Sequence, residues 1–171
     1  MKKTVLYLFL VAALLFTSGC GQADSPAPGF TREDLYLNID GAQYRCNINI
    51  ETVISGLGSD YEYSEAMSCD YDGLDKTYIY ETAEFYTWPM PDGDLVNEVY
   101  TESPAVSTSK GISVGATREE VLAAYGEHFE DANSLLVYRL SDSREPADSA
   151  ALCFDLEDGM VRAIFITMQA V

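Results

Sequence analysis

The chain has 171 residues, of which 28 are Asp or Glu and 10 are Lys or Arg, giving a formal net charge of −18 with a single histidine. That balance disfavours nucleic acid, whose binding depends on releasing counterions to Lys and Arg, and it repels anionic lipid headgroups. One histidine also removes most metal chemistry, because a zinc site would have to combine His128 with cysteines at no recognised ligand spacing.

The sequence opens MKKTVLYLFLVAALLFTSGCG, with two lysines, an apolar run over 5–16, then small residues and a cysteine. Residues 1–19 therefore read as a secretory signal peptide, too short to span a bilayer comfortably. Ser18-Gly19-Cys20 resembles the lipobox of bacterial lipoproteins, although Thr17 stands where leucine is more usual. The resemblance implies that Cys20 receives a diacylglyceryl group, that the signal is cut before it, and that the new amino terminus is acylated or free. GQADSPAPG, small residues and proline, makes 20–29 a lipidated tether. Nine residues reach at most about 30 Å, so the folded part is expected close to the membrane. Losing two lysines leaves −20 on the mature chain. Membrane attachment must then come from the lipid on Cys20, on the side facing outside the cytoplasm.

Three other cysteines remain, Cys46, Cys69 and Cys153, in an exported and potentially oxidising setting. At most one intrachain disulfide can form among them. Cys46 with Cys69 closes the shorter loop and is the expected pair; three buried thiols in a reducing habitat is the alternative that stays open.

Asn49 is an N-cap candidate, Val53, Ile54 and Leu57 give one apolar face, and Gly58 is a stop. KTYIYET and AEFYTWP are rich in aromatic and β-branched residues and read as strands, with Asp92-Gly93 as a turn after them. In GISVGATREEVLAAYG, residues 111–126, Thr117 and Glu120 form a capping box, so a helix starts at Thr117. Val121, Leu122 and Tyr125 share its apolar face and Gly126 ends it. This helix repeats the first at an offset of 68, and Met160, Val161, Ile164 and Phe165 repeat Leu95, Val96, Val99 and Tyr100 at 65. SLLVYRLS and AALCFDLED supply further strands. Asp158-Gly159 is a strong hairpin signal because both residues tolerate positive φ, and AIFITM (163–168) is apolar on both faces, as a central strand would be.

The expected fold is α+β, with two tandem repeats at 30–104 and 105–171. Each is a short helix followed by an antiparallel sheet of three to four strands, and the two pack as one unit because about 70 residues alone make a marginal core.

Ser113 fits the nucleophile-elbow pattern G-x-S-x-G, but its context does not. Polar residues and Pro104 precede it where a buried strand is required, and four residues separate it from the helix it should open. Gly111 and Gly115 instead let the chain turn into the helix. DYDGLDK, 70–76, crowds three aspartates around a glycine without calcium-loop spacing, and turn chemistry accounts for it better. No catalytic residue, metal ligand or cofactor site is predicted. The aromatic run from Tyr61 to Trp88 is the remaining functional signal, since Tyr and Trp pair apolar area with a polar tip. Tyr78, Tyr80, Tyr86 and Trp88 are the candidate binding surface; a half-buried sheet would explain them equally well.

SCDYDGLDKTYIYET (68–82), TWP (87–89) and STSKGISVGATREEVLAAYG (107–126) resemble a group of lipoproteins from clostridial-type bacteria. More distantly, the duplicated plan is similar to the β-lactamase inhibitory protein fold, whose halves form an antiparallel sheet with helices on one side. The resemblance implies an architecture and a bias toward protein binding, with no catalytic residue to carry over. The function expected is a non-enzymatic, lipid-anchored cell-envelope protein that binds an envelope or extracellular protein. A small-ligand or glycan-binding surface lipoprotein is the alternative.

Overall fold

A computed structural model describes residues 29–141 and 146–169; the signal segment 1–19, Cys20 and the tether up to residue 28 lie outside the described residues. Both helices form where their caps place them. In α1 (Ile50–Leu57) the Asn49 side chain accepts from the Glu51 N–H at 2.9 Å, and Gly58 ends the helix at φ 87°. In α2 (Arg118–Tyr125) the Thr117 hydroxyl accepts from Glu120 N–H at 3.2 Å while the Glu120 carboxylate accepts from Thr117 N–H at 2.7 Å, and Gly126 stops it at φ 84°. Neither glycine could be replaced without strain at such φ.

The strands are β1 (Leu37–Ile39), β2 (Ala42–Tyr44), β3 (Glu62–Met67), β4 (Leu74–Ile79), β5 (Glu84–Trp88), β6 (Leu95–Thr101), β7 (Ser107–Thr108), β8 (Glu130–Ala132), β9 (Leu135–Arg139), β10 (Ala151–Glu157) and β11 (Met160–Thr167). Eight of them make one sheet in the order β3-β4-β5-β6-β11-β10-β9-β8, antiparallel throughout, and β2-β1-β7 make a small second sheet. The fold is mixed α+β. β11 sits mid-sheet between β6 and β10, as its apolar sequence requires.

One cross-strand row, Tyr78, Phe85, Val99, Ile166, Leu152 and Tyr138, lies on the same side of the sheet and is buried along its whole length. Ile50 and Val53 of α1, Val121 and Tyr125 of α2, and Leu37 and Ile39 of β1 join it in a single core. The helices and the small sheet therefore cover one face only. On the other, Val137, Ala151 and Cys153 form a smaller buried cluster against Leu135 and Phe165.

Each helix is hooked to a strand far along the chain. Ile50 N–H donates to Asp94 O at 3.0 Å and Val96 N–H to Ile48 O at 2.9 Å, fixing the start of α1 on β6; Arg118 N–H donates to Gly159 O at 2.9 Å and Val161 N–H to Ala116 O at 2.8 Å, fixing α2 on β11. The helix ends are held alike: Tyr80 donates its hydroxyl to Gly58 O, and Tyr138 to Gly126 O, both at 2.9 Å.

Asp158-Gly159 forms the expected two-residue turn, with φ 52° and 79°. Asp92-Gly93 does not play that part. Gly93 alone has positive φ, and its N–H donates to Met90 O at 3.0 Å inside a longer loop. Asp40-Gly41 and Asn133-Ser134 are two-residue turns of positive φ that join β1 to β2 and β8 to β9. Of the 70–76 aspartates, Asp70 and Asp72 belong to a turn organised by Ser68, whose hydroxyl accepts from Asp70 and Tyr71 N–H at 3.4 and 3.3 Å, and Asp75 lies in β4.

The expected Cys46–Cys69 disulfide is corrected. All three described cysteines are free thiols. Cys46 is buried with its Sγ donating to Asn97 O and Ile166 O, at the join of β6 and β11. Cys69 is exposed in the turn between β3 and β4, at least two strand spacings away. Two spacings are roughly 10 Å, beyond the roughly 7 Å limit between Cα atoms that a disulfide tolerates.

Residues 29–34 are pinned to the second half of the chain. Asp34, buried, accepts from Ser109 Oγ at 2.6 Å and from Thr31 N–H at 2.8 Å, with Lys110 Nζ 3.3 Å away. Lys110 Nζ also donates to Gly29 O at 2.6 Å and lies 4.6 Å from the Tyr125 ring centroid. Arg32 forks onto buried Asp148, with Nε at 2.6 Å from one carboxylate oxygen and a second bond to the other.

Two outcomes follow for the folded protein. Alkylation mapped by mass spectrometry should modify Cys69 quickly and Cys46 and Cys153 only after unfolding, since burial shields both thiols and raises their pKa, to about 12 at Cys153. Lys110→Met should lower stability to denaturant by about 3 kcal/mol, because it leaves the Asp34 carboxylate buried without its cation, and Asp34→Asn added to it should recover part of the loss.

Candidate functional site

The period-two alternation of a strand decides what the four candidate aromatics do. Tyr78 is 7% exposed and packs in the core row. Tyr80 lies on the same side, two residues on; its ring meets Phe85 edge-on at 5.8 Å, and its hydroxyl is bound to the end of α1. Burial raises the pKa of both hydroxyls, to about 12 at Tyr80. These two are structural. Tyr86 and Trp88 alternate with buried Phe85 and Thr87 on β5 and stand half-buried on the opposite face. The structure thus brings Tyr86 and Trp88 together and separates them from Tyr78 and Tyr80.

That opposite face carries residues the sequence did not single out. Tyr100 of β6 and Phe165 of β11 are direct cross-strand partners, with ring centroids 6.1 Å apart. Glu98 pairs across from Tyr86 on one side and Thr167 on the other. Tyr86 donates its hydroxyl to Glu84 at 2.5 Å, and Tyr100 donates to Glu102. Arg162 bridges Glu102, at 3.3 Å, and Asp155. Trp88 closes the row at the other end against Tyr71, with centroids 5.4 Å apart. The available signal was the alternation in LVNEVYT and AIFITM, which puts Glu98 with Tyr100 and places Phe165 opposite Ile164 and Ile166.

The electrostatics of the face follow from its crowding. Glu98 has its pKa raised by burial, opposed by the Thr167 hydroxyl that stabilises its charge and reinforced by nearby Glu84. The hydroxyls of Tyr86 and Tyr100 resist ionisation, first through burial and then through the carboxylates they serve; Tyr100 is pushed up to about 12. Cys153, also on this side, is fully buried. What the face offers a visitor is therefore ring surface edged by negative charge, a combination suited to cationic side chains.

Beyond the ends of β4, β5 and β6 lies an open concavity of about 350 Å³ lined by Tyr80, Glu81, Glu84, Tyr100 and Glu102 among others. Of the four candidate aromatics, Tyr80 alone lines it. Ser113 sits in the turn before α2, its carbonyl accepting from Ala116 N–H at 3.1 Å, and His128 is exposed beyond that helix. Among the described residues no three His, Cys, Asp or Glu side chains are grouped to hold a metal ion, and no helix is long and apolar enough to cross a membrane. Comparison with known proteins finds no matching family model, curated protein or solved structure.

Glu98 gives this face a pH signature. Its pKa is higher in the folded protein than the ordinary 4.5, so the folded state holds more protons just above that value and stability falls as pH rises through the window. Glu98→Gln should therefore withstand more urea than the wild type at neutral pH, and the difference should vanish below about pH 4, where the carboxyl is protonated in both states.

Proposed function

We propose that this chain is a non-enzymatic, lipid-anchored protein of the cell envelope that binds another protein through the sheet face opposite its helices. The observation that carries the reading is the partly exposed aromatic cluster Trp88, Tyr86, Tyr100 and Phe165, flanked by Glu84, Glu98 and Glu102. Rigid aromatic anchors within a polar rim are the usual source of binding energy between proteins. The hydroxyls on this face are engaged by carboxylates and its thiol is buried, so the side chains serve recognition better than chemical attack. Anchoring rests on Cys20 and the apolar segment before it.

The scaffold is two tandem repeats, 30–104 and 105–171, of the β-lactamase inhibitory protein type. Support comes from α1 followed by β3 to β6 and α2 followed by β8 to β11, and from the palindromic strand order. It comes also from the bonds at Ile50, Val96 and Gly58 that recur at Arg118, Val161 and Gly126. A sheet flanked on one side by its own helices leaves the other side for a partner.

A second reading, a small-ligand or glycan receptor, is favoured by the concavity beside Tyr100, which is of a size that holds a small molecule.

Tagged full-length protein, crosslinked in the native envelope and captured, tests the choice. Recovery of one protein in stoichiometric amount by the wild type, reduced at least about tenfold by Tyr86→Ala/Trp88→Ala as loss of a hot spot would do, supports the protein-binding face. Equal recovery by the variant overturns it, and recovery of no protein moves the reading to the small ligand or glycan.

A further inference from the structure

The two ends of the large sheet are built differently. β8 is three residues long, and two of them are acidic. β3, in the corresponding place at the other end, runs for six residues in unbroken register with β4. Every β3 side chain is exposed, with Tyr63 at 48% and Met67 at 75%, and none belongs to the core. Fixing a residue's backbone costs about 1–2 kcal/mol, so β3 is ordered chiefly by its pairing with β4 and by the contact of the Tyr63 ring with Tyr78, centroids 5.4 Å apart.

An edge strand presents a row of unpaired N–H and C=O groups on its free side, and proteins usually blunt it with short length, charged side chains, proline or a bulge. β8 is blunted by length. β3 has no proline and no register shift, and its charged residues, Glu62 and Glu65, oppose an acidic strand but not a basic one. Its charges are of one sign: Glu62 and Glu65 lie on opposite faces of the strand, Asp60 precedes it, and Asp70 and Asp72 follow in the turn. Lys76, across from Glu65 on β4, is committed to Asp94 at 2.6 Å. A second copy of a chain with net charge −18 would bring like charge to like.

We propose that β3 is a docking edge to which an extended, lysine- or arginine-bearing segment of another protein adds as a ninth strand. Backbone hydrogen bonds supply the attachment and alternate side chains the selection. On one face the incoming strand meets Tyr63, Glu65 and Met67, where the Tyr63 hydroxyl already donates to Glu65; a cationic side chain there gains a carboxylate and a ring together. On the other face it meets Glu62, Ser64 and Ala66. This edge is separate from the Tyr86–Trp88 face, and the inference stands whether or not that face binds.

The probe is a short acetylated peptide alternating Lys and Val, together with a twin carrying N-methyl groups on every second amide so that it cannot pair with a sheet edge. Hydrogen exchange of the full-length chain in detergent, read by mass spectrometry, should show amides of 62–67 slowed at least about tenfold by the peptide and unaffected by the twin. Glu62→Lys/Glu65→Lys should abolish the protection, whereas Tyr86→Ala/Trp88→Ala should leave it intact. Absence of protection at 62–67 with a saturating concentration of peptide, or equal protection by the N-methylated twin, overturns the proposal. That comparison is made on the wild-type chain and needs no variant to fold.

Discussion

The structure depends on the pairing of β6 with β11. Thr101, Tyr100, Val99 and Glu98 run against Ile164, Phe165, Ile166 and Thr167, and this one ladder turns two four-stranded groups into a continuous sheet. Without it, each group would end in a bare edge, and Val99 and Ile166 would lose the neighbour that completes the buried row from Tyr78 to Tyr138. The same ladder receives Cys46, whose Sγ donates to carbonyls of both strands, and the two helix starts are bonded to the beginnings of these strands. Core, helices and seam are therefore tied to one another by direct bonds.

Because α1, α2 and the small sheet lie on one side, the sheet's two faces obey different rules. The covered face is selected for dry packing: aromatic rings meet edge to face, and the hydroxyls of Tyr80 and Tyr138 each reach a backbone carbonyl at a helix end. The open face keeps its rings only partly covered and answers the hydroxyls of Tyr86 and Tyr100 with carboxylates. On this face the exterior's negative charge edges a set of partly covered rings.

How much of this could be read in advance is a matter of range. Thr117, Glu120 and Gly126 act within ten residues of one another, so the second helix was legible to the residue, as was the Asp158-Gly159 turn. Alternation showed that Tyr78 shares a side with Tyr80, yet it does not say which side the helices will cover; that choice is made by the entry bonds at Asp94 and Gly159, which lie more than forty residues from the helix starts they hold. The Cys46–Cys69 pairing failed for the same reason. Loop length in the sequence ranked it first, but the strand order put at least two strand spacings between the partners. Asp92-Gly93 misled because a turn dipeptide signals a reversal without fixing the length of the loop around it, and here Asn49 crowds the position where a Gly93 side chain would stand, 2.5 Å from its Nδ2.

The clamp on residues 29–34 has a mechanical meaning. Any pull on a chain held from its amino-terminal side enters the folded unit at Gly29, and there it meets Lys110, which grips that carbonyl and the end of α2 at once. Arg32 then passes the load to Asp148, and Asp34 passes it to Ser109, both on the far half of the sequence. Tension is thereby spread across three polar attachments before it reaches β1. The short strands of the small sheet lie behind these attachments, so a pull from that side must break them, in chain order, before it reaches the ladder of β1.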